Sequence, residues 1–122
     1  MDTFSWVEYF AGSAAGEKAR PYIEGGEAFT PTIVIAEFVD KYTREKIDLE
    51  ERVKFIKTKS SVTPLDEDTA ELAGRISAER RLLVKGWGLV DSIVLASARA
   101  RKMKVLTGDE HFRGLEDAVM IK

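Results

Sequence analysis

Residues 86–112 read GWGLVDSIVLASARARKMKVLTGDEHF, and this stretch decides the fold class. A glycine-bracketed turn, Gly86-Trp87-Gly88, leads into an apolar run that begins near Leu89 and carries Asp91 in its first turn. The positive end of the helix dipole favours a carboxylate at that place. Ile93, Val94, Ala96, Ser97, Ala98 and Ala100 keep the predicted helix small and apolar, as close packing on a sheet requires. Arg99, Arg101, Lys102 and Lys104 crowd its far end, where cations are favoured. Lys104-Val105-Leu106-Thr107 then predicts a short buried strand stopped by Gly108, with Asp109 directly after it. The chain thus runs down a helix from Asp91 and back up a strand to Asp109. Both acids return to one edge of an α/β layer, the edge at which open α/β sheets gather their sites.

Upstream, the same alternation repeats. Ser5–Phe10 predicts a short helix ending at Ala11-Gly12, and a second helix runs from about Ala14 to Ile23. Ala28-Phe29-Thr30 is a brief strand, and Thr30-Pro31 a helix start with a capping hydroxyl followed by proline at the first helical position. The third helix continues to about Arg44. Asp48-Leu49-Glu50-Glu51 and Asp68-Thr69-Ala70-Glu71 match capping boxes, opening helices that end near Lys59 and Leu83. Ser61–Leu65 is a short strand whose Pro64 marks an end or edge, and Ala118–Ile121 a last strand. Helices alternating with short apolar strands imply a parallel sheet covered on both faces.

Composition sets bounds. A chain of 122 residues with 44% hydrophobic and 33% charged residues is expected to be one soluble globular domain, residues 1–122. It has no membrane-span or signal-peptide pattern, and no cysteine for disulfides, zinc–thiolate sites or thiol nucleophiles. The net charge of −2 gives no global pull toward nucleic acid, so such contact must come from local basic clusters or bound metal ions. The absence of Asn and Gln beside many Glu, Lys and Arg predicts a cytoplasmic protein from a hot environment.

Four acids interrupt apolar segments: Asp2, Glu37 within Thr32–Val39, Asp91 and Asp109. Acids gathered at one edge repel one another unless protonated or bridged by a cation. A hard divalent ion takes such oxygen ligands, and in this setting can activate water and neutralise charge on a phosphodiester.

These segments resemble the PIN domain family, and within it the VapC-type toxins of toxin–antitoxin pairs. Asp2-Thr3 with Trp6–Phe10 resembles the family's opening motif, and Glu37 its second acidic position. Gly88–Ile93 is similar to the third motif, and Leu106–Asp109 with Phe112 to the fourth. The resemblance covers essentially the whole chain. It implies a three-layer α/β/α sandwich around a parallel sheet of about five strands. It also implies an endoribonuclease dependent on Mg²⁺ or Mn²⁺, with Asp2, Glu37, Asp91 and Asp109 as catalytic and metal-binding residues. The implied partners are an RNA substrate, a cognate antitoxin and a second copy of the chain. Two departures stand out: only Met1 precedes Asp2 where the family has a full apolar strand, and Phe4 replaces a customary small hydroxyl residue. The first implies a shortened strand or a start assigned too late.

Plainer readings compete. Asp91 is also a favourable first-turn charge, Asp109 a turn or cap residue, and Asp2 a charged terminus. Thr107 can support a carboxylate or be an ordinary strand residue, and Ser5 and Ser92 are expected at helix starts. No serine triad is credible, because its base would have to be the sole histidine, His111, expected on the surface beside the site. The clusters Arg80, Arg81, Lys85 and Arg99, Arg101, Lys102, Lys104 read as solvated helix ends. Trp6, Trp87 and Tyr9 read as packing. A binding module of the same fold with its catalysis lost is the first rival. A phosphoacceptor domain is the second, but its paired acids after a first strand and lysine after a last one are not evident.

Overall fold

The alternation expected from the sequence is the alternation that forms. In the computed structural model, which describes residues 1–122, the order is α1 (Thr3–Ala11), α2 (Ala14–Glu24), β1 (Phe29–Pro31), α3 (Thr32–Arg44), α4 (Glu50–Lys59), β2 (Ser61–Thr63), α5 (Glu67–Leu83), α6 (Leu89–Ala100), β3 (Val105–Thr107), a 3-10 turn (Glu110–Phe112) and β4 (Ala118–Met120). The class is α/β, with parallel strands and covering helices.

The strands are fewer than the five expected, and they form two parallel pairs. β1 lies beside β2 with Thr30 opposite Val62, and β3 lies beside β4 with Leu106 opposite Val119. Met1 and Asp2 span the space between the pairs. The Met1 ammonium donates to the Phe29 carbonyl at 2.5 Å, and the Asp2 N–H donates to the Leu106 carbonyl at 3.3 Å. One hydrogen bond to each side is too little ladder to make a strand, so the opening strand is reduced to a bridge. Burial lowers the Met1 amine to a pKa of about 6, although the neighbouring Asp2 charge works against the shift.

Three predicted helix starts move by one or two residues. Pro31 takes the N-cap position of α3 and makes no side-chain cap bond. Thr30 stays in β1 because its hydroxyl is engaged in the interior, accepting from Trp6 Nε1 at 3.1 Å and bonding the Ser60 hydroxyl at 2.8 Å. Asp66, not Asp68, caps α5, its Oδ1 accepting from the Thr69 N–H at 2.8 Å. Leu49 is the N-cap of α4, with Asp48 Oδ1 accepting from the Glu50 N–H at 3.3 Å just ahead of it.

The core is made by the faces the sequence marks as apolar. Trp6, Ile23, Val34, Phe38, Ile56, Leu95, Val105 and Phe112 are fully enclosed. Trp6 stacks on Phe10 and meets Tyr9 and Phe55 edge-on, so the aromatic side chains of α1 serve packing. Trp87 is buried too, with its ring 5.0 Å from that of Phe112 and its Nε1 donating to the Ser92 hydroxyl at 2.7 Å. α5 packs along α6, α1 packs on α2 and α3, and both α1 and α6 touch β3. That last arrangement sets the starts of two helices beside the end of one strand. No helix is long and apolar enough to cross a membrane.

Candidate metal centre

Asp91 occupies the third position of α6, and its carboxylate turns back on the helix start. Oδ2 accepts from the Gly88 N–H at 3.0 Å, the return half of a capping box. The helix start thereby orients the carboxylate and leaves its other oxygen uncommitted.

Asp109 follows the end of β3 and caps the 3-10 turn. Its N–H donates to the Thr107 hydroxyl at 2.9 Å, and its Oδ1 accepts from the His111 N–H at 2.9 Å. The turn exists because residue 108 is glycine. A Cβ there would lie 2.1 Å from the Phe4 ring, so the strand end and the start of α1 approach as closely as they do only without a side chain. Phe4 therefore has a packing role where the resemblance leads one to expect a hydroxyl.

Glu37 lies on the second turn of α3 and is half-buried. The Thr3 hydroxyl donates to its Oε1 at 2.6 Å. Asp2 is buried and caps α1, its Oδ1 accepting from the Ser5 N–H at 2.9 Å, and the nearby Thr107 hydroxyl favours its ionised form. Ser5 itself donates to the Leu106 carbonyl at 2.7 Å, which fastens the start of α1 to β3.

The four acids share one electrostatic environment. Burial raises Glu37 above the ordinary carboxylate range, and the charges of Asp91, Asp2 and Asp109 raise it further, against the Thr3 hydrogen bond. Burial likewise raises Asp91, with Asp109 adding to the shift while the Gly88 N–H and His111 oppose it. Burial raises Asp2 against its hydrogen bonds from Thr107 and Ser5. Three partly desolvated acids are thus held where ionisation is disfavoured, the condition that a cation relieves.

The tightest grouping is not the four acids. Asp91, Asp109 and His111 each place a ligand atom within 4.8 Å of the others, whereas Asp2 and Glu37 lie outside that triad. Where the sequence predicts a surface residue beside the site, His111 is half-buried and stands within it. Its Nδ1 is 3.6 Å from Asp91 Oδ2 and 3.4 Å from Asp109 Oδ1, buried and without a hydrogen-bond partner. The i, i+2 spacing from Asp109 across a tight turn was the signal available for it. Arg80 also departs from a solvated helix end. It donates through Nη2 to the His111 carbonyl at 3.1 Å and lies over the Trp87 ring at 4.7 Å. Thr107 is fully buried between Asp2 and Asp109 rather than being only a strand residue.

These oxygen donors, with an orphaned imidazole nitrogen facing two of them, fit a divalent cation. A model of the family described as "PIN domain" matches residues 1–117. No curated protein matches the sequence. Among solved structures, a chain of a toxin–antitoxin complex from Klebsiella pneumoniae has a similar fold, with a TM-score of 0.78 and 19% identity over 99% of this chain and 95% of that one.

Proposed function

The chain belongs to the PIN domain family, and on that premise we propose that it is a divalent-metal-dependent endoribonuclease hydrolysing RNA phosphodiester bonds. We further propose that it is the toxin of a type II toxin–antitoxin pair, homodimeric and held inactive by its cognate antitoxin. The observation that supports the nuclease reading is that Asp2, Glu37 and Asp91 all have a raised affinity for protons, chiefly through burial, with Asp109 adding its charge to Glu37 and Asp91 and no lysine or arginine paired with any of the three. Structural acids in an ordinary fold are paired with arginine or lysine or left to solvent. The fold-mate from a toxin–antitoxin complex supports the partner assignment.

When bound, Mg²⁺ or Mn²⁺ supplies water activation and charge neutralisation on the phosphodiester. The chain's own groups do the rest. Asp91 and Asp109 hold the ion, Asp91 oriented by Gly88 and Asp109 by the turn it caps. Glu37, with Oε1 fixed by Thr3, keeps Oε2 for the ion or for a proton. Asp2 and Thr107 secure the strand end on which Asp109 stands.

A binding module of the same fold is favoured by one observation: the Asp2 carboxylate is buried and spent on capping α1 beside the chain's own amine. The experiment is incubation of the full chain with a mixed set of structured RNAs in Mg²⁺, Mn²⁺ or EDTA. Cleavage that needs the ion supports the nuclease. A folded protein that cuts nothing in any of them overturns it in favour of the binding module.

A further inference from the structure

We propose that His111 Nδ1 is a direct ligand of the ion, forming with Asp91 and Asp109 a mixed nitrogen–oxygen triad that selects Mn²⁺ or a similar first-row transition ion over Mg²⁺. The proposal rests on the metal-dependent reading above and specifies which ion that site prefers.

The ring is placed by contacts from three elements, none of which uses Nδ1. Its backbone N–H donates to Asp109 Oδ1 at 2.9 Å, and its carbonyl accepts from Arg80 of α5 at 3.1 Å. Its Nε2 edge lies against Gly86, where an added Cβ would come within 3.1 Å, and Gly86 has a φ of +86° that an L side chain rarely adopts. The next residue, Phe112, is buried beside Trp87. The ring is thereby seated with Nδ1 toward the two carboxylates.

The distances decide what Nδ1 is doing there. At 3.4 Å and 3.6 Å from carboxylate oxygens, it is beyond an N–H···O hydrogen bond, which spans roughly 2.7–3.2 Å. Two donors bound to one ion at about 2.1 Å, with angles between octahedral and tetrahedral, are separated by roughly 3.0–3.5 Å. The gap to Asp109 falls within that range and the gap to Asp91 just above it, close to the spacing of donors around a common centre. With its lone pair on Nδ1, the imidazole would be unsatisfied and repelled by the two carboxylates unless an ion lay between them. An Nδ1–H shared between the two carboxylates is the alternative that the same spacing allows.

Ligand type then sets the preference. A site built only of carboxylates and water suits Mg²⁺, which dehydrates reluctantly and favours oxygen. An imidazole nitrogen gains more from first-row transition ions. A triad containing one nitrogen shifts selectivity toward them.

The test is Mn²⁺ binding to the full chain without RNA, followed by electron paramagnetic resonance, with Mg²⁺ as competitor. The expected result is nitrogen-14 coupling on the bound Mn²⁺ in pulsed spectra, absent in His111→Ala. Mn²⁺ affinity in that variant falls about tenfold or more, while Mg²⁺ affinity changes by less than about threefold. The wild-type spectrum needs no variant, so a His111→Ala protein that fails to fold does not spoil the test. Bound Mn²⁺ without nitrogen coupling overturns the triad and leaves the nuclease reading standing, with His111 a neighbour of the carboxylates rather than a ligand. A folded protein that binds neither ion overturns both.

Discussion

The Thr3 hydroxyl donates to Glu37 Oε1 at 2.6 Å, so the first residue of α1 holds a carboxylate on the second turn of α3. The bond opposes the burial and like charges that raise Glu37's proton affinity. Thr3→Val removes the donor without changing shape, and Glu37 is expected to bind protons more tightly still. Divalent-ion affinity falls by roughly threefold to tenfold, the equivalent of about 1 kcal/mol, measured by calorimetric titration at fixed pH. Thr3→Ser retains wild-type affinity. Equal affinity in Thr3→Val and wild type contradicts the role.

Glu37→Gln makes the metal-free protein more stable. Replacing a partly desolvated carboxylate among three other acids by a neutral isostere removes repulsion and desolvation together. The expected gain is about 0.5–2 kcal/mol, seen as a higher Tm in EDTA, with a smaller rise on adding Mn²⁺ than in wild type. A variant less stable than wild type in EDTA places Glu37 in a structural pairing instead.

The pH dependence has a definite sign. Asp2 and Asp91, from an ordinary value of 3.8, and Glu37, from 4.5, are all raised in the folded state. Folding therefore takes up protons at these sites. Their stabilising contribution is full below the ordinary values and is lost as pH rises through the raised ones. The Met1 amine, lowered from 8.0 to about 6, contributes above 8.0 and loses that contribution as pH falls through about 6. Above the ordinary acid values and below about 6, where the amine begins to act in the opposite sense, the Tm in EDTA should fall as pH rises. Saturating Mn²⁺ should abolish that fall, because the ion binds the ionised form. A Tm in EDTA that climbs across this interval contradicts the assigned burial of the acids.

Gly108→Ala tests how the Asp109 turn is made. Its Cβ would meet the Phe4 ring at 2.1 Å, so the ring or the strand end must shift. The cost is about 1–3 kcal/mol, with a Tm lower by about 4 °C or more. Adding Phe4→Ala should recover part of that loss, since the two residues share one contact. Strict additivity of the two substitutions removes the clash as the cause.

Much of this was legible because local chemistry and tertiary packing agreed. α6 and β3 follow from a first-turn acid, an apolar face, a basic helix end and a glycine stop, and each of those signals acts within a few residues. The division into two strand pairs was not legible, because it depends on what lies between β1 and β3, and only Met1 and Asp2 do. The hydroxyl of Thr30, just ahead of a proline, has the local signature of a cap. Its partners Trp6 and Ser60 come from distant parts of the chain and outcompete that local role. The acids could be picked out singly as interruptions of apolar runs. The seating of His111 depends on Gly86 and Arg80 meeting the ring across a turn, which periodicity does not encode.

The central claim is that these acids serve an ion which cuts RNA, and Asp91→Asn tests it most directly. Wild type and variant are compared on the same structured RNAs with Mn²⁺ and Mg²⁺, after melting curves show both folded. Asn keeps the side-chain oxygen that the Gly88 N–H bonds, so the start of α6 survives while the charge is gone. The account predicts ion-dependent cleavage by wild type and none by Asp91→Asn. Cleavage by the variant at the wild-type rate would contradict it and remove Asp91 from the site.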